Sequence, residues 1–253
     1  MTTHNAPIGS VQTTATIIEA LQELGCTGVS ELADHLDLPT STVFDHLRTL
    51  ENEGFVTSDA AGYRVGARFL EVGGYTRKQD PIYDVAKPEI KKMAHQTGDH
   101  ANLVVEQGGQ AVFYAKAEGE DAFQLDTHVG KHVHLSTTSA GKAILSEYSD
   151  EKIHAILDEH GLPEVTEHTI TDRDQLFEEI GECRERGYAT DDEERIPGVR
   201  CVGASITDDD GDVLGAVSVS GPKSGMQDER FHDEVPNLVL RTANIIEVNM
   251  KYQ

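Results

Sequence analysis

The run LPTSTVFDHLRTLENEGFV, residues 38–56, sets apolar Val43, Leu47 and Leu50 at i, i+4 and i+7 and closes at Gly54. That spacing describes a helix starting near Thr40 with one buried stripe and a glycine stop. Upstream, Ile17, Ile18, Leu21 and Leu24 give a second amphipathic helix, ended by Gly25. Between them Ser30 is expected to cap a short helix carrying Leu32, Ala33 and Leu36 inward, followed by the Asp37-Leu38-Pro39 break. Downstream, Phe55-Val56 and Tyr63-Arg64-Val65 flank Asp59-Ala60-Ala61-Gly62, a hairpin pattern. Three short helices and a hairpin compose a winged helix-turn-helix, whose third helix fits a DNA major groove. With the apolar stripe inward, Ser41, Thr42, Asp45, His46 and Arg48 face outward after Thr40, and the hairpin adds Arg64. A small helical protein-interaction module shares this periodicity, so the pattern alone leaves both readings open.

Outward from this unit the pattern changes near residue 75. Residues 66–79 read as a connecting helix, and 81–97 as the helix that opens a larger domain. Strands are expected at 100–106 and 110–117, parted by Gly108-Gly109, and at 125–135, 199–206 and 213–220. Helices are expected at 139–147, 150–160, 173–186 and 228–250. The division is a winged helix-turn-helix at 1–66, a linker helix at 67–79 and a domain at 80–253. The second domain reads as α+β, built on one mostly antiparallel sheet.

The chain has 253 residues, 45 Asp plus Glu, 21 Lys plus Arg and a formal charge of −24. Residues 1–79 hold five cations against ten acids, a net of −5, which leaves −19 for residues 80–253. Acidity argues against nucleic acid, since DNA affinity comes mainly from Lys and Arg on phosphate. It is also the composition of proteins that work in concentrated salt, where charges are screened over a few Å. Composition leaves the two open. No apolar run spans a bilayer and no signal peptide is visible. Cys26, Cys183 and Cys201 are too few for a disulfide framework, so a cytoplasmic protein is expected.

Motifs that carry chemistry are few. Asp208-Asp209-Asp210-Gly211-Asp212 lacks the outer carboxylates of a calcium loop, with Ile206 and Val217 in their places, and reads as a turn. Gly141-Lys142-Ala143 lacks the first glycine and the hydroxyl of a phosphate loop. His128, His132 and His134 permit a metal, yet no Cys or HExxH motif completes a site. Cys201, inside an apolar strand, reads as packing rather than as a nucleophile. No catalytic residue, metal or cofactor is expected. Ser218 and Ser220 share one strand face, Ser205 adds a hydroxyl, and Asp191, Asp192, Glu193 and Glu194 form an acidic run. Beside Ser136-Thr137-Thr138-Ser139-Ala140-Gly141 they outline a pocket for a small polar ligand.

Over residues 8–250 the chain resembles the IclR family of bacterial and archaeal transcription regulators. The resemblance rests on LPTSTVFDHLRTLENEGFV, VGKHVHLSTTSAGKAIL (129–145), RGYATDDEERIPGVRCVGASITD (186–208) and GAVSVSGP (215–222). It implies a homodimeric or tetrameric protein that binds a double-stranded DNA operator, with a GAF-like effector-binding domain for a small acidic or sugar-derived metabolite. Its pocket positions map onto Ser139, Ala140, Asp191, Cys201, Ser218 and Ser220. Two departures stand out. Phe44-Asp45-His46 occupies the middle of the recognition helix where many relatives carry Arg or His-Arg. His134 and Ser136 replace the usual Pro and His near the pocket. A metabolite-binding adaptor, or an enzyme using Cys201 and Asp191, is the competing reading.

Overall fold

The computed structural model describes residues 8–252. The chain forms two compact units, the division falling between Thr76 and Arg77. In the first, α1 (Gly9–Leu24), α2 (Val29–Leu36) and α3 (Thr40–Asn52) precede a hairpin of β1 (Val56–Asp59) and β2 (Gly62–Val65). Ile17, Leu21, Leu32, Val43, Leu47, Leu50 and Val56 form its core, and burying each large aliphatic side chain contributes roughly 1.5–3 kcal/mol. Asp37, left-handed at φ 52°, ends α2, and Pro39 opens α3.

Ser30 is not the cap of α2. The helix already runs from Val29, with Gly28 before it, and the first bond is Leu32 N–H to the Gly28 carbonyl. Thr27 pairs with Tyr63 as a short bridge to the wing, and the helix turns two residues earlier than Ser30 would set it. Gly62 makes that pairing possible: at φ 139° a side chain there would meet the Thr27 carbonyl at 2.5 Å. The helix α4 (Arg68–Lys78) follows and runs across the division.

The second unit begins with α5 (Pro81–Thr97), whose N-terminus is capped by Asp80. One six-stranded sheet organises the rest, in order β5-β4-β3-β8-β7-β6, every pair antiparallel. Its strands are β3 (His100–Gln107), β4 (Gln110–Glu118), β5 (His132–His134), β6 (Ala189–Asp192), β7 (Val199–Thr207) and β8 (Val213–Pro222). Alternation along the strands sorts side chains to two faces. Leu103, Val202, Ala204, Val217 and Val219 pack against α5 and α9 (Val235–Met250). Val104, Phe113 and Ala216 meet α6 (Ser139–Ser146), α7 (Asp150–His160) and α8 (Arg173–Arg186).

Two expectations need correction. Residues 125–135 are not one strand: only His132–His134 pair with β4. The chain before them leaves the sheet because Gly130 is left-handed and the Phe113 N–H and carbonyl bond Lys131 and Gly130 instead. The helix expected from 228 to 250 does form, with one wide π-helical turn at Arg230–Glu234 leading into α9. Pro236 accounts for the wide turn, since it has no N–H to return a bond one turn back. Finally, Ala189–Asp192 is an edge strand where the sequence showed only an acidic run.

Candidate functional site

On α3 the apolar stripe is buried, and Thr40, Ser41, Asp45 and Arg48 are exposed. Pro39 offers no capping side chain, so the first amides of the helix stay available to an anion. Two of the expected outward residues are not fully outward. Thr42 is half-buried. His46 turns toward α1, where its Nδ1 lies 2.8 Å from Thr14 Oγ1. The reason is angular: position 46 stands beside the buried stripe rather than opposite it. Arg64 is exposed but paired with Asp59 across the hairpin. Among the described residues Arg48 has no carboxylate partner.

In the second unit the strand registers assemble a site in two rows. One row runs Asp191, Cys201, Ser220 across β6, β7 and β8. The next runs Gly203, Ser218, Asn102 across β7, β8 and β3. All point away from α5 and α9. Against them stands the start of α6, whose first turn is capped by the Thr138 hydroxyl accepting from Gly141 N–H at 3.0 Å. Gly203 allows this approach, because a Cβ there would meet Ala140 N at 2.7 Å. Ser139, Ala140, Asp191, Cys201, Ser218 and Ser220 thus line one cavity, together with Asn102, Thr138 and Arg195. Leu125 and Thr127, from the segment that left the sheet, also line it. Its interior is small, about 20 Å³.

The polar groups are unevenly satisfied. Asn102 Nδ2 donates to Ser218 Oγ at 3.3 Å and to Ser220 Oγ at 3.4 Å, while its Oδ1 is buried without a partner. Ser139 Oγ is likewise buried and unpartnered. Such atoms are costly in a dry interior unless a ligand completes them. Arg195 donates to Thr127 Oγ1 and to the Asp126 carbonyl, both at 3.0 Å, so its guanidinium ties the overlying segment to the cavity wall. Ser205, expected nearby, instead bonds Glu147.

Alternation at the end of β6 separates Asp191 from Asp192, and left-handed Glu193, at φ 66°, breaks the pattern beyond them. Asp192 turns outward to Arg200, and Glu193 pairs with Lys223. Asp191 and Glu194 turn inward. Lys142, fully buried on α6, holds Glu194 at 2.5 Å and lies 3.7 Å from Glu179. Asp191 accepts the Glu194 N–H at 2.8 Å. Burial first, and the Glu194 carboxylate second, push the Asp191 carboxyl up to about 7. Burial, reinforced by Asp191, raises the Cys201 thiol well above its ordinary range, the opposite of what an activated nucleophile needs. Asn102 and Arg195 escaped the sequence reading, whereas Thr138 lay in the hydroxyl-rich block that outlined the pocket. Strand register alone brings Asn102 in, although Arg195 sits within the acidic block and was visible there.

His128 and His132 bond neighbouring carbonyls, and His134 Nδ1 is buried without a partner. Among the described residues no group of three or more His, Cys, Asp or Glu side chains converges as a cation site. No helix among them is long and apolar enough to cross a membrane.

Two family models match the chain. The IclR helix-turn-helix domain covers residues 10–60, and the bacterial transcriptional regulator IclR C-terminal domain covers 75–248. The chain is 35% identical to a probable HTH-type transcriptional regulator ArcR of Halobacterium salinarum, over 96% of this chain and 94% of that one. It is 31% identical to the HTH-type transcriptional repressor AllR of Escherichia coli K12, over 82% of this chain and 77% of that one. Among solved structures it is similar to Thermotoga maritima IclR, with TM-score 0.77, 28% identity and coverage of 96% and 99%. With both units matched and the first two relatives aligned over most of their length, the chain belongs to the IclR family of transcriptional regulators, an HTH DNA-binding domain followed by the family's effector-binding domain.

Proposed function

We propose that the protein binds operator DNA as a homodimer or tetramer and that a small acidic or sugar-derived metabolite in the described cavity sets its affinity. In this reading residues 1–66 bind DNA, 67–79 link and 80–253 sense. The observation that carries it is the convergence on one cavity of unpartnered Ser139 Oγ and Asn102 Oδ1 with the Arg195 guanidinium. Together they offer donors, an acceptor and a positive charge to a carboxylate that also bears a hydroxyl or carbonyl. At about 20 Å³ the cavity holds roughly one water, so the metabolite enters only as the Leu125–Thr127 segment yields. A ligand that binds the opened form better shifts the protein toward it, and that difference is the coupling to DNA.

On α3, Thr40, Ser41 and Thr42 take phosphate with the first helix amides, while Asp45 and Arg48 face base edges and Arg64 a flanking phosphate. His46, bonded to Thr14, serves to position α3. Exposed Leu70, Val72 and Tyr75 on α4 supply apolar surface for a second subunit. The acidic surface adapts the protein to concentrated salt, in keeping with the Halobacterium relative.

The test pairs Ser218→Ala with Ser220→Ala and titrates a panel of two- to six-carbon hydroxy and keto acids by calorimetry, after mass spectrometry of any acid that co-purifies. The double variant is expected to lose the binding heat and the metabolite response of DNA affinity, with basal DNA affinity near wild type. An unchanged titration overturns the assignment of the cavity.

A further inference from the structure

The outward face of α3 carries one side chain without a role so far. Phe44 has 43% of its surface exposed and belongs to none of the apolar groups that pack the first unit. Its position, more than its exposure, is informative. It lies in the second turn of α3, toward the end that enters a groove in helix-turn-helix proteins. On a helix, residues four apart are neighbours, so Phe44 shares a side with Thr40 and Arg48, both exposed.

The chemistry of this face is unusual in what it lacks. Residues 1–66 contain two cations, Arg48 and Arg64, against nine acids, and no Gln or Asn is found in the first two turns of α3 to grip an adenine. Of the groups that base pairs present in the major groove, the thymine C5-methyl is the apolar one, and a phenyl ring is among its known complements. An apolar contact also contributes without displacing ions, so salt does not weaken it as it weakens a phosphate contact.

We infer that Phe44 is a specificity-determining residue, packing its ring on the C5-methyl of a thymine at a base pair next to the one reached by Arg48. The inference rests on the DNA-binding role of α3. It makes the contact a reading of sequence, distinct from contacts to sugar or phosphate.

The experiment uses the full-length protein and a random pool of duplexes about thirty base pairs long, enough for two half-sites. The selected duplex is resynthesised with each thymine replaced in turn by deoxyuridine, which removes only the methyl group, and binding is read by anisotropy. Wild type is expected to lose roughly four-fold affinity per half-site at one thymine position, the equivalent of one buried methyl. Phe44→Ala is expected to bind thymine and uracil duplexes alike at that position, and Phe44→Leu to keep part of the difference. The inference is overturned if no thymine responds in wild type, or if Phe44→Ala keeps the full uracil penalty. It is equally overturned if Phe44→Ala weakens binding while wild type ignores uracil, since the ring then touches only sugar. A protein that enriches no duplex from the pool instead takes down the DNA-binding role itself.

Discussion

Asp191 is held where a carboxylate is poorly solvated, between Glu194 and Cys201, and retains a proton up to a pH of about 7. The unfolded chain loses that proton near pH ~4. The raised value therefore favours the native state at acid pH, and this contribution is lost as pH rises through about 7. Asp191→Asn keeps an oxygen for the Glu194 N–H, so thermal unfolding between pH 5 and 8 should show a flatter stability profile than wild type. Parallel profiles would show that Asp191 ionises normally. On the DNA side, Arg48 and Arg64 looked equivalent in sequence, yet Arg64 already pairs with Asp59. Arg48→Ala should weaken operator binding by the greater factor and relax specificity at the base pair it reads, with Arg64→Ala the milder. The reverse order in a mobility-shift series would refute this orientation of α3.

At the scale of elements, the start of α6 and strand β7 make the cavity by close approach. Gly203 presents no Cβ where Ser139 and Ala140 pass. Gly203→Ala must push backbone rather than a flexible side chain, which costs about 1–3 kcal/mol as overpacking does. It should lower the melting temperature and also weaken effector binding, because the displaced residues line the cavity. A variant that melts normally and titrates normally would mean that α6 has slack. The same junction shows where sequence was legible. The alternation of Val217 and Val219 with Ser218 and Ser220 assigned their faces correctly, since period two is a local property of a strand. The cap of α2 and the start of β5 differ from the sequence pattern because distant contacts decided them, the Thr27–Tyr63 bridge and the bonds of Gly130 and Lys131 to Phe113 on β4.

For the whole molecule, the charge of −24 bears on the conditions of binding. Cation release from DNA makes protein affinity fall steeply with salt when many Lys and Arg meet phosphate. Here the first unit offers few cations and many acids, and under the proposed adaptation to salt its carboxylates near phosphate would take up cations on binding. Operator affinity is expected to be flat or rising with salt into the molar range, measured by anisotropy on the selected duplex. A steep negative slope would refute the adaptation to salt.

What the sequence by itself determined was the class of structure and the list of parts. Helix stripes, turn glycines and strand alternation are local, so they survive without knowledge of partners, and the four motif blocks were enough to name the family. Which parts meet was decided by tertiary structure. Register across three strands put Asn102 between two serines, the left-handed turn at Glu193 after β6 split one acidic run into an outer pair and an inner pair, and α1 drew His46 away from the groove face. Each of these depends on residues far apart in the chain, whose pairing is set by burial of two sheet faces and not by any neighbour in sequence.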